Sequence, residues 1–157
     1  MNYLKRYNEV CHIPTKENIK KNGEVFTPEF LVDKMCKMTS KKNIKTLDLC
    51  AGLGQMTIGM LQNGIIDNLD NHTFCEINEV NCEKLRYIFG DDIRIIKDYK
   101  EINEHFDLTI CNPPYTQGLD LKILQHVYDM IDEIIVVHPA TWLIDMKYTN
   151  KLYMTFR

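Results

Sequence analysis

No run of apolar residues in this sequence approaches the roughly 20 that a transmembrane helix needs, and no charged segment followed by an apolar one opens it. The six cysteines form no Cys-x-x-Cys pair and mostly lie in apolar stretches, which favours buried free thiols over disulfides or zinc ligands. We therefore expect a soluble, cytoplasmic protein without a metal site. The net charge of −3 supplies little of the basic surface on which duplex DNA binding usually depends.

The chain is long enough for one ordinary α/β core, with 157 residues of which 45% are hydrophobic and 26% charged. Segments of strand length alternate with segments of helical periodicity. Strands are predicted at 46–50, 72–76, 93–96, 106–111 and 134–138, and helices after Thr27-Pro28 and near 55–62, 79–89 and 119–131. Thr27 is expected to cap the first of these helices. The alternation predicts a mostly parallel sheet with ligands bound at the carboxyl ends of its strands.

The run Asn112-Pro113-Pro114-Tyr115 directly follows an apolar strand. Because proline cannot donate to a sheet ladder, the strand must end there in a stiff turn. The turn can offer the Asn112 side-chain oxygen and the Pro113 carbonyl as two acceptors, with the Tyr115 ring beside them. An exocyclic amino group on an aromatic base needs such acceptors and a ring on which to stack. Taken alone, the run is also compatible with a simple proline turn and a half-buried tyrosine.

A second motif, Asp48 followed by Gly52-x-Gly54, lies where the first predicted strand passes into a helix. The two glycines would let a ligand approach the backbone closely, and Asp48 suits a ligand with a positive amine better than one with a pyrophosphate. About 20 residues further on, Glu76 ends the next strand, where a carboxylate can accept from both hydroxyls of a ribose. The alternative for Glu76 is an acid favoured by the dipole at a helix N-terminus.

Together, these motifs resemble the S-adenosylmethionine-dependent methyltransferases that act on exocyclic amino groups. The segment 23–35, which contains Phe26 and Thr27, resembles the N-terminal cofactor motif of the adenine-N6 DNA methyltransferases of restriction-modification systems. The resemblance covers residues 20–145. It implies a Rossmann-like methyltransferase fold that transfers a methyl group from S-adenosylmethionine to the N6 amino group of an adenine flipped out of duplex DNA. It also implies an N-terminal arm at 1–22, a catalytic domain at 23–145 and a tail at 146–157.

The resemblance further implies which residues form the site. Asn112, Pro113, Pro114 and Tyr115 would hold the target base for catalysis. The residues expected to bind the cofactor are Phe26, Thr27, Asp48, Ala51, Gly52, Gly54, Glu76, Ile77, Asp98, Tyr99 and Asn112. Asp98 would accept from the amino group of the cofactor's adenine, but Asp91 and Asp92 compete for that role. A turn or cap acid is the alternative for each of the three.

The chain departs from that family after residue 138. Family members continue with two more strands and a target-recognition domain, whereas here a sheet of order 3-2-1-4-5 would leave 134–138 as an apolar edge. Residues 139–157, a second copy of the chain or a separate target-recognition subunit would cover this edge, unless the sequence is a truncated product. Two other functions stay open: methyl transfer to RNA or to a protein glutamine, and a non-catalytic homologue that serves as a cofactor-binding or interaction subunit.

Overall fold

The computed structural model describes residues 2–11 and 26–138 of the protein. The expected covering of the sheet edge by 139–157, and residues 23–25 of the N-terminal cofactor motif, lie outside these ranges. Five strands and five α-helices follow one another along the described chain: α1 Tyr3–Val10, α2 Glu29–Cys36, β1 Thr46–Leu49, α3 Gln55–Gln62, β2 His72–Cys75, α4 Glu79–Phe89, β3 Arg94–Ile96, β4 Leu108–Cys111, α5 Leu119–Val127 and β5 Ile134–Val136. Single 3₁₀ turns at Tyr99–Glu101, Thr116–Gly118 and Tyr128–Met130 complete the description.

The five strands form one sheet in the order β3-β2-β1-β4-β5, and every pairing is parallel. This confirms the predicted fold class and strand order. In the central strand, Thr46 pairs with His72 on one side and with Leu108 on the other. The direction of strand succession reverses between β1 and β4, and in open parallel sheets ligands bind outside the carboxyl ends of the strands at such a point.

Helices cover both faces of the sheet, which explains why β1, β2 and β4 are buried along their whole length. Alternate residues of β1 point to opposite faces. Leu47 and Leu49 pack in the cluster that includes α5, while α2 and α3 pack against β4 on the other face. A third cluster joins α1, α4 and Phe74 of β2. The strands are therefore apolar because helices cover the sheet on both faces.

Two helix ends depart from the sequence prediction. The helix predicted near 119–131 ends at Val127, where a 3₁₀ turn follows. Pro28, not Thr27, is the N-cap residue of α2, and this cap makes no side-chain hydrogen bond. The Thr27 hydroxyl instead accepts a hydrogen bond from Asn112. The expected capping role was wrong because this hydroxyl has a partner across the fold.

The structure also bears on the expectations about thiols and membranes. All six cysteines are free, and Cys36, Cys75, Cys82 and Cys111 are buried. No described helix is long and apolar enough to cross a lipid bilayer.

Candidate active site

The glycine loop, which we define as residues 50–54, connects β1 to α3 at the carboxyl edge of the sheet. Its backbone has positive φ at Cys50 (62°), Gly52 (56°) and Gly54 (78°). A Cβ atom on Gly52 would meet nothing within 4 Å, whereas one on Gly54 would lie 2.4 Å from Cε2 of Phe89. Gly52 thus borders open space that a ligand can fill. At Gly54 the absence of a side chain instead allows α4 to pack against the loop, and contact of the Gly54 backbone with a cofactor stays a prediction.

Ala51 and Phe26 were both expected at the cofactor. Ala51 is buried, and its backbone N–H donates to the carbonyl of Cys75 at 2.9 Å, which ties the glycine loop to the end of β2. Both side chains pack with the cluster around α1 and α4. Their observed contacts are therefore structural, and any contact of either side chain with a cofactor stays a prediction.

The Glu76 carboxylate holds two loops together at the end of β2. One oxygen accepts the backbone N–H of Gly52 at 2.7 Å, and the other accepts the N–H of Asn78 at 2.7 Å. The residue is only 8% exposed. Its position beside the open space at Gly52 is the one expected for ribose recognition. The alternative, an acid at a helix N-terminus, also holds in part, because Asn78 is the N-cap residue of α4.

Asp48 lies in the middle of β1 and is completely buried. Its Oδ2 accepts from the hydroxyl of Thr57 at 2.6 Å and from the Thr57 N–H at 3.2 Å, while its Oδ1 has no hydrogen-bond partner in the described part of the chain. Burial raises the pKa of Asp48 to about 7, the two bonds from Thr57 oppose that shift, and the nearby Glu76 adds to it. A buried acceptor without a partner needs an explanation such as a bound ligand or water. This unpartnered acceptor therefore fits a cofactor that brings a positive amine.

The Asn-Pro-Pro-Tyr turn begins directly after β4, as predicted. Asn112 Nδ2 donates to Thr27 Oγ1 at 3.1 Å, so the 26–28 segment and the turn meet. The Tyr115 hydroxyl lies 2.5 Å from Asn112 Oδ1 and 2.7 Å from the carbonyl of Val137. Burial raises the pKa of Tyr115 to about 12. Tyr115 is half-buried. Its hydroxyl is hydrogen-bonded to Asn112 Oδ1, the acceptor that was expected to face a target amino group, so this acceptor already has a donor.

Pro113 is buried and Pro114 half-buried beside these groups. β4 ends at Cys111, directly before this turn, as the two prolines predicted.

Two of the predicted cofactor residues follow the end of β3 and make contacts within the protein. Asp98 Oδ1 accepts the backbone N–H of Lys100 at 3.0 Å and caps the short 3₁₀ turn that follows. The Tyr99 ring packs edge-on against His126 of α5, with 5.7 Å between ring centroids. The observed cap is the alternative that the sequence left open for Asp98. Any contact of Asp98 or Tyr99 with a cofactor stays a prediction.

Asp91, Asp92 and Ile77 are the other residues that were expected near the adenine of a cofactor, and they lie at opposite edges of the sheet. Asp91 and Asp92 precede β3 and are exposed at the opposite edge of the sheet, because the amino ends of parallel strands lie there. This excludes them from a site at the carboxyl edge. Ile77, in contrast, follows Glu76 directly and is 76% exposed, so an aromatic ring placed there would cover it.

Sequence reasoning missed two pairs of residues near the site. Thr57 and His72 lie behind Asp48, and each was hidden inside an apolar element. Asp120 of α5 and His138 lie near Tyr115, with 3.7 Å between Asp120 Oδ2 and His138 Nδ1. Burial lowers the pKa of His138 to about 4, so this imidazole is neutral near pH 7. A polar residue in an otherwise apolar strand or helix is the signal that could have marked them.

Comparison with known proteins supports the fold and the cofactor. No family model matches the chain. A release factor glutamine methyltransferase from Flavobacterium psychrophilum is 27% identical over 103 residues, which are 60% of this chain and 34% of that protein. This chain therefore spans about a third of the length of that relative.

Three solved structures share the fold at low sequence identity. A candidate RNA methyltransferase from Pyrococcus horikoshii has a TM-score of 0.68 at 17% identity and covers 95% of this chain and 80% of its own. The ribosomal protein L11 methylase from Lactobacillus delbrueckii subsp. bulgaricus has a TM-score of 0.63 at 15% identity, covering 85% and 72%. Magnesium protoporphyrin IX methyltransferase from Synechocystis, with S-adenosylmethionine bound, has a TM-score of 0.54 at 14% identity, covering 85% and 68%.

These similarities support the fold and the cofactor but do not identify the molecule that is methylated. The chain has the Rossmann-like fold of S-adenosylmethionine-dependent methyltransferases, and the comparisons support S-adenosylmethionine as the cofactor. The proteins named above are described as acting on RNA, on proteins or on a porphyrin. They do not bear out the adenine-N6 DNA subfamily, which stays a prediction.

Proposed function

We propose that this protein transfers a methyl group from S-adenosylmethionine to a planar nitrogen, and that this nitrogen is the side-chain amide of a protein glutamine. The observation that carries the proposal is the position of Asn112, whose side chain stands at the carboxyl edge between the 26–28 segment and Tyr115. The 27% identical relative, described as a release factor glutamine methyltransferase, favours glutamine over a nucleic acid base. The negative net charge of the chain points the same way.

The cofactor would be held by the groups at the ends of β1 and β2. Glu76 would accept from the ribose hydroxyls, since its carboxylate lies at the end of β2 and binds the backbone N–H of Gly52, beside open space. The unpartnered Oδ1 of Asp48 would meet the amine, directly or through one water. Open space at Gly52 leaves room for the methionine portion. Ile77 would pack beneath the adenine.

Methyl transfer would require the protein mainly to orient the target nitrogen. S-Adenosylmethionine supplies a methyl group already activated by its sulfonium, so correct placement of the nitrogen is the main requirement. Asn112 Nδ2 donates to the Thr27 hydroxyl, which leaves Asn112 Oδ1 as the acceptor at this position. Asn112 Oδ1 would then accept a target N–H after the Tyr115 hydroxyl has moved away. Accepting this hydrogen favours a more pyramidal nitrogen with an available lone pair.

Adenine-N6 methylation of DNA is the second candidate function. The contact between Thr27 and Asn112 supports it, because this contact brings part of the N-terminal segment beside the Asn-Pro-Pro-Tyr turn. Both targets present a planar nitrogen with two hydrogens, so the same acceptors serve either. The aromatic face of Tyr115 would add stacking of about 1–3 kcal/mol only for a base.

The test measures cofactor binding first and transfer second. Calorimetry should show S-adenosylmethionine binding, and labelled methyl transfer should be followed to a glutamine peptide, duplex DNA and RNA, with identification of the methylated residue. Asn112→Ala should lower transfer by about 10²–10³, the usual cost of removing one group that stabilises the transition state, at nearly unchanged cofactor affinity. Asn68→Ala, in a surface turn, is the control and should behave as wild type.

Each outcome has a distinct meaning. Absence of cofactor binding in the wild type would overturn the proposal. N6-methyladenine as the product, instead of methylglutamine, would establish the second candidate. Full transfer by Asn112→Ala would remove Asn112 from the reaction.

A further inference from the structure

Four polar side chains form a buried polar chain behind the glycine loop: Thr46 and Asp48 of β1, Thr57 of α3 and His72 of β2. Their exposures are 0%, 0%, 0% and 3%. Thr46 Oγ1 lies 2.6 Å from His72 Nδ1, His72 Nε2 lies 2.8 Å from Thr57 Oγ1, and Thr57 Oγ1 lies 2.6 Å from Asp48 Oδ2. Such a line of short hydrogen bonds through an apolar core is costly unless every member has a partner.

The directions of these hydrogen bonds depend on the charge of Asp48. Burial lowers the pKa of His72 to about 3, so the ring is neutral and one nitrogen donates while the other accepts. If Asp48 is ionised, the Thr57 hydroxyl donates to it, and the Thr57 oxygen must then accept from His72 Nε2–H. Thr46 in turn donates to His72 Nδ1. If Asp48 carries a proton on Oδ2, the whole set reverses and His72 takes the Nδ1–H tautomer.

We propose that Thr57 and His72 are positioning residues for cofactor binding, which hold Asp48 as a carboxylate whose Oδ1 meets the amine of S-adenosylmethionine. This inference rests on the proposed function and deepens it. The backbone N–H of Thr57, which also donates to Oδ2 at 3.2 Å, favours the ionised arrangement. The four residues act as one unit because each hydrogen bond fixes the direction of the next.

The surroundings of Asp48 explain why it needs this support. Glu76 is a carboxylate that raises the pKa of Asp48, and His72 is neutral. The other titratable groups that interact with Asp48 are thiols whose pKa values are raised, mainly by burial, so they are uncharged near pH 7: Cys36, Cys50, Cys75 and Cys111. Within residues 2–11 and 26–138, no positive side chain is among these neighbours. Without the donors from Thr57, Asp48 would keep its proton at neutral pH and present no charge to an amine.

Binding of the amine and ionisation of Asp48 are therefore linked. In the wild type, cofactor affinity should fall about tenfold for each pH unit below about 7, since the protonated form must first lose its proton. Loss of the Thr57 hydroxyl should raise the midpoint of this dependence by about one to two pH units, the usual strength of a hydrogen bond to a charged group. Above about pH 8 the α-amino group of the cofactor itself loses its proton, so pH 6 to 8 is the informative range.

The experiment titrates S-adenosylmethionine by calorimetry at pH 6, 7 and 8 in the wild type, Thr57→Val and Thr57→Ser. Thr57→Val keeps the shape and loses the hydroxyl, whereas Thr57→Ser keeps the hydroxyl. We expect Thr57→Val to bind about 10- to 100-fold more weakly than wild type at pH 6, with a deficit that shrinks five- to tenfold by pH 8. Thr57→Ser should follow the wild type.

Nitrogen NMR of the His72 ring adds a signature that a purely structural role would not produce. The ring should change from the Nδ1–H to the Nε2–H tautomer as pH rises through about 7, and it should be held as Nε2–H when cofactor binds. The double variant Thr46→Val/His72→Phe removes the imidazole together with its Thr46 partner, so that the Thr57 hydroxyl loses the donor His72 and keeps only its bond to Asp48. It should raise the midpoint in the same direction as Thr57→Val.

The outcomes separate this inference from the proposed function. If wild type binds the cofactor and the Thr57→Val deficit is the same at every pH, the inference is overturned and the proposed function stands. If wild type does not bind at any pH, the proposed function is wrong. Carbon NMR titration of the Asp48 carboxyl then tests the buried polar chain alone, and an equal midpoint in wild type and Thr57→Val would overturn the chain's role.

Discussion

Replacing Glu76 with glutamine tests the end of β2 in two ways at once. The Glu76 carboxylate accepts two backbone N–H groups, each at 2.7 Å, in a site that is 8% exposed. A glutamine side chain has one acceptor oxygen, and its NH₂ would face the second N–H. At least one charge-assisted hydrogen bond is lost, so Glu76→Gln should lower the free energy of unfolding by about 1.5–3 kcal/mol. Urea denaturation followed by circular dichroism measures this loss.

The same substitution should weaken S-adenosylmethionine binding about tenfold or more, because a carboxylate acceptor for the ribose is removed. Glu79→Gln is the matched control. Glu79 is an exposed acid at the start of α4 that pairs with Lys97 on the surface, so its loss should change neither quantity much. Wild-type stability and affinity in Glu76→Gln would refute the reasoning. Reduced stability with unchanged affinity would leave Glu76 as a loop clamp and remove the ribose assignment.

Three other expectations concern packing, pH and assembly. Gly54→Ala should lower the free energy of unfolding by about 1–2 kcal/mol or more in urea denaturation, since φ is 78° there and the new Cβ would collide with Phe89. His72 binds a proton in the unfolded chain below about pH 6.5, but in the folded protein burial lowers its pKa to about 3. As pH falls from about 6.5 toward 3, proton binding therefore favours the unfolded chain and lowers the free energy of unfolding. The loss from pH 6.5 to 4.5 should be about 2–3 kcal/mol smaller in His72→Phe. Within the described chain, β5 pairs only with β4, and we propose that a second copy or a recognition subunit covers 134–138; a monomer by light scattering with rapidly exchanging amides there would contradict this.

The fold could be predicted from the sequence because its signals are local. Strands buried on both faces appear as short apolar runs, and the helices between them show their own periodicity, so the parallel order followed from the alternation. The place of the site followed too, since Asp48, Glu76 and Asn112 each stand in or directly after a strand that ends at the same edge.

What could not be predicted depends on partners far apart in the chain. Nothing near Thr57 in sequence indicates His72, because the two meet only when α3 packs on the sheet. Gly54 looks like Gly52 in the sequence, but one glycine faces Phe89 and the other faces open space. The sequence does not identify the target either, since an amide and an exocyclic amino group would bind the same hydrogen-bond acceptors of the Asn-Pro-Pro-Tyr turn.

The central place of β1 has a consequence for how the chain folds. On one side of β1, Thr46 pairs with His72, which is 26 residues later in the sequence. On the other side, Leu47 accepts a hydrogen bond from Thr109 of β4, which is 62 residues later. Contacts so distant in sequence form slowly, because a long loop must close before they stabilise the fold. We therefore expect β1, β2 and their helices to assemble first, with one side of the central strand still uncovered. The half that would hold the cofactor thus forms before the turn that would hold the target nitrogen, and the two meet only when β4 docks.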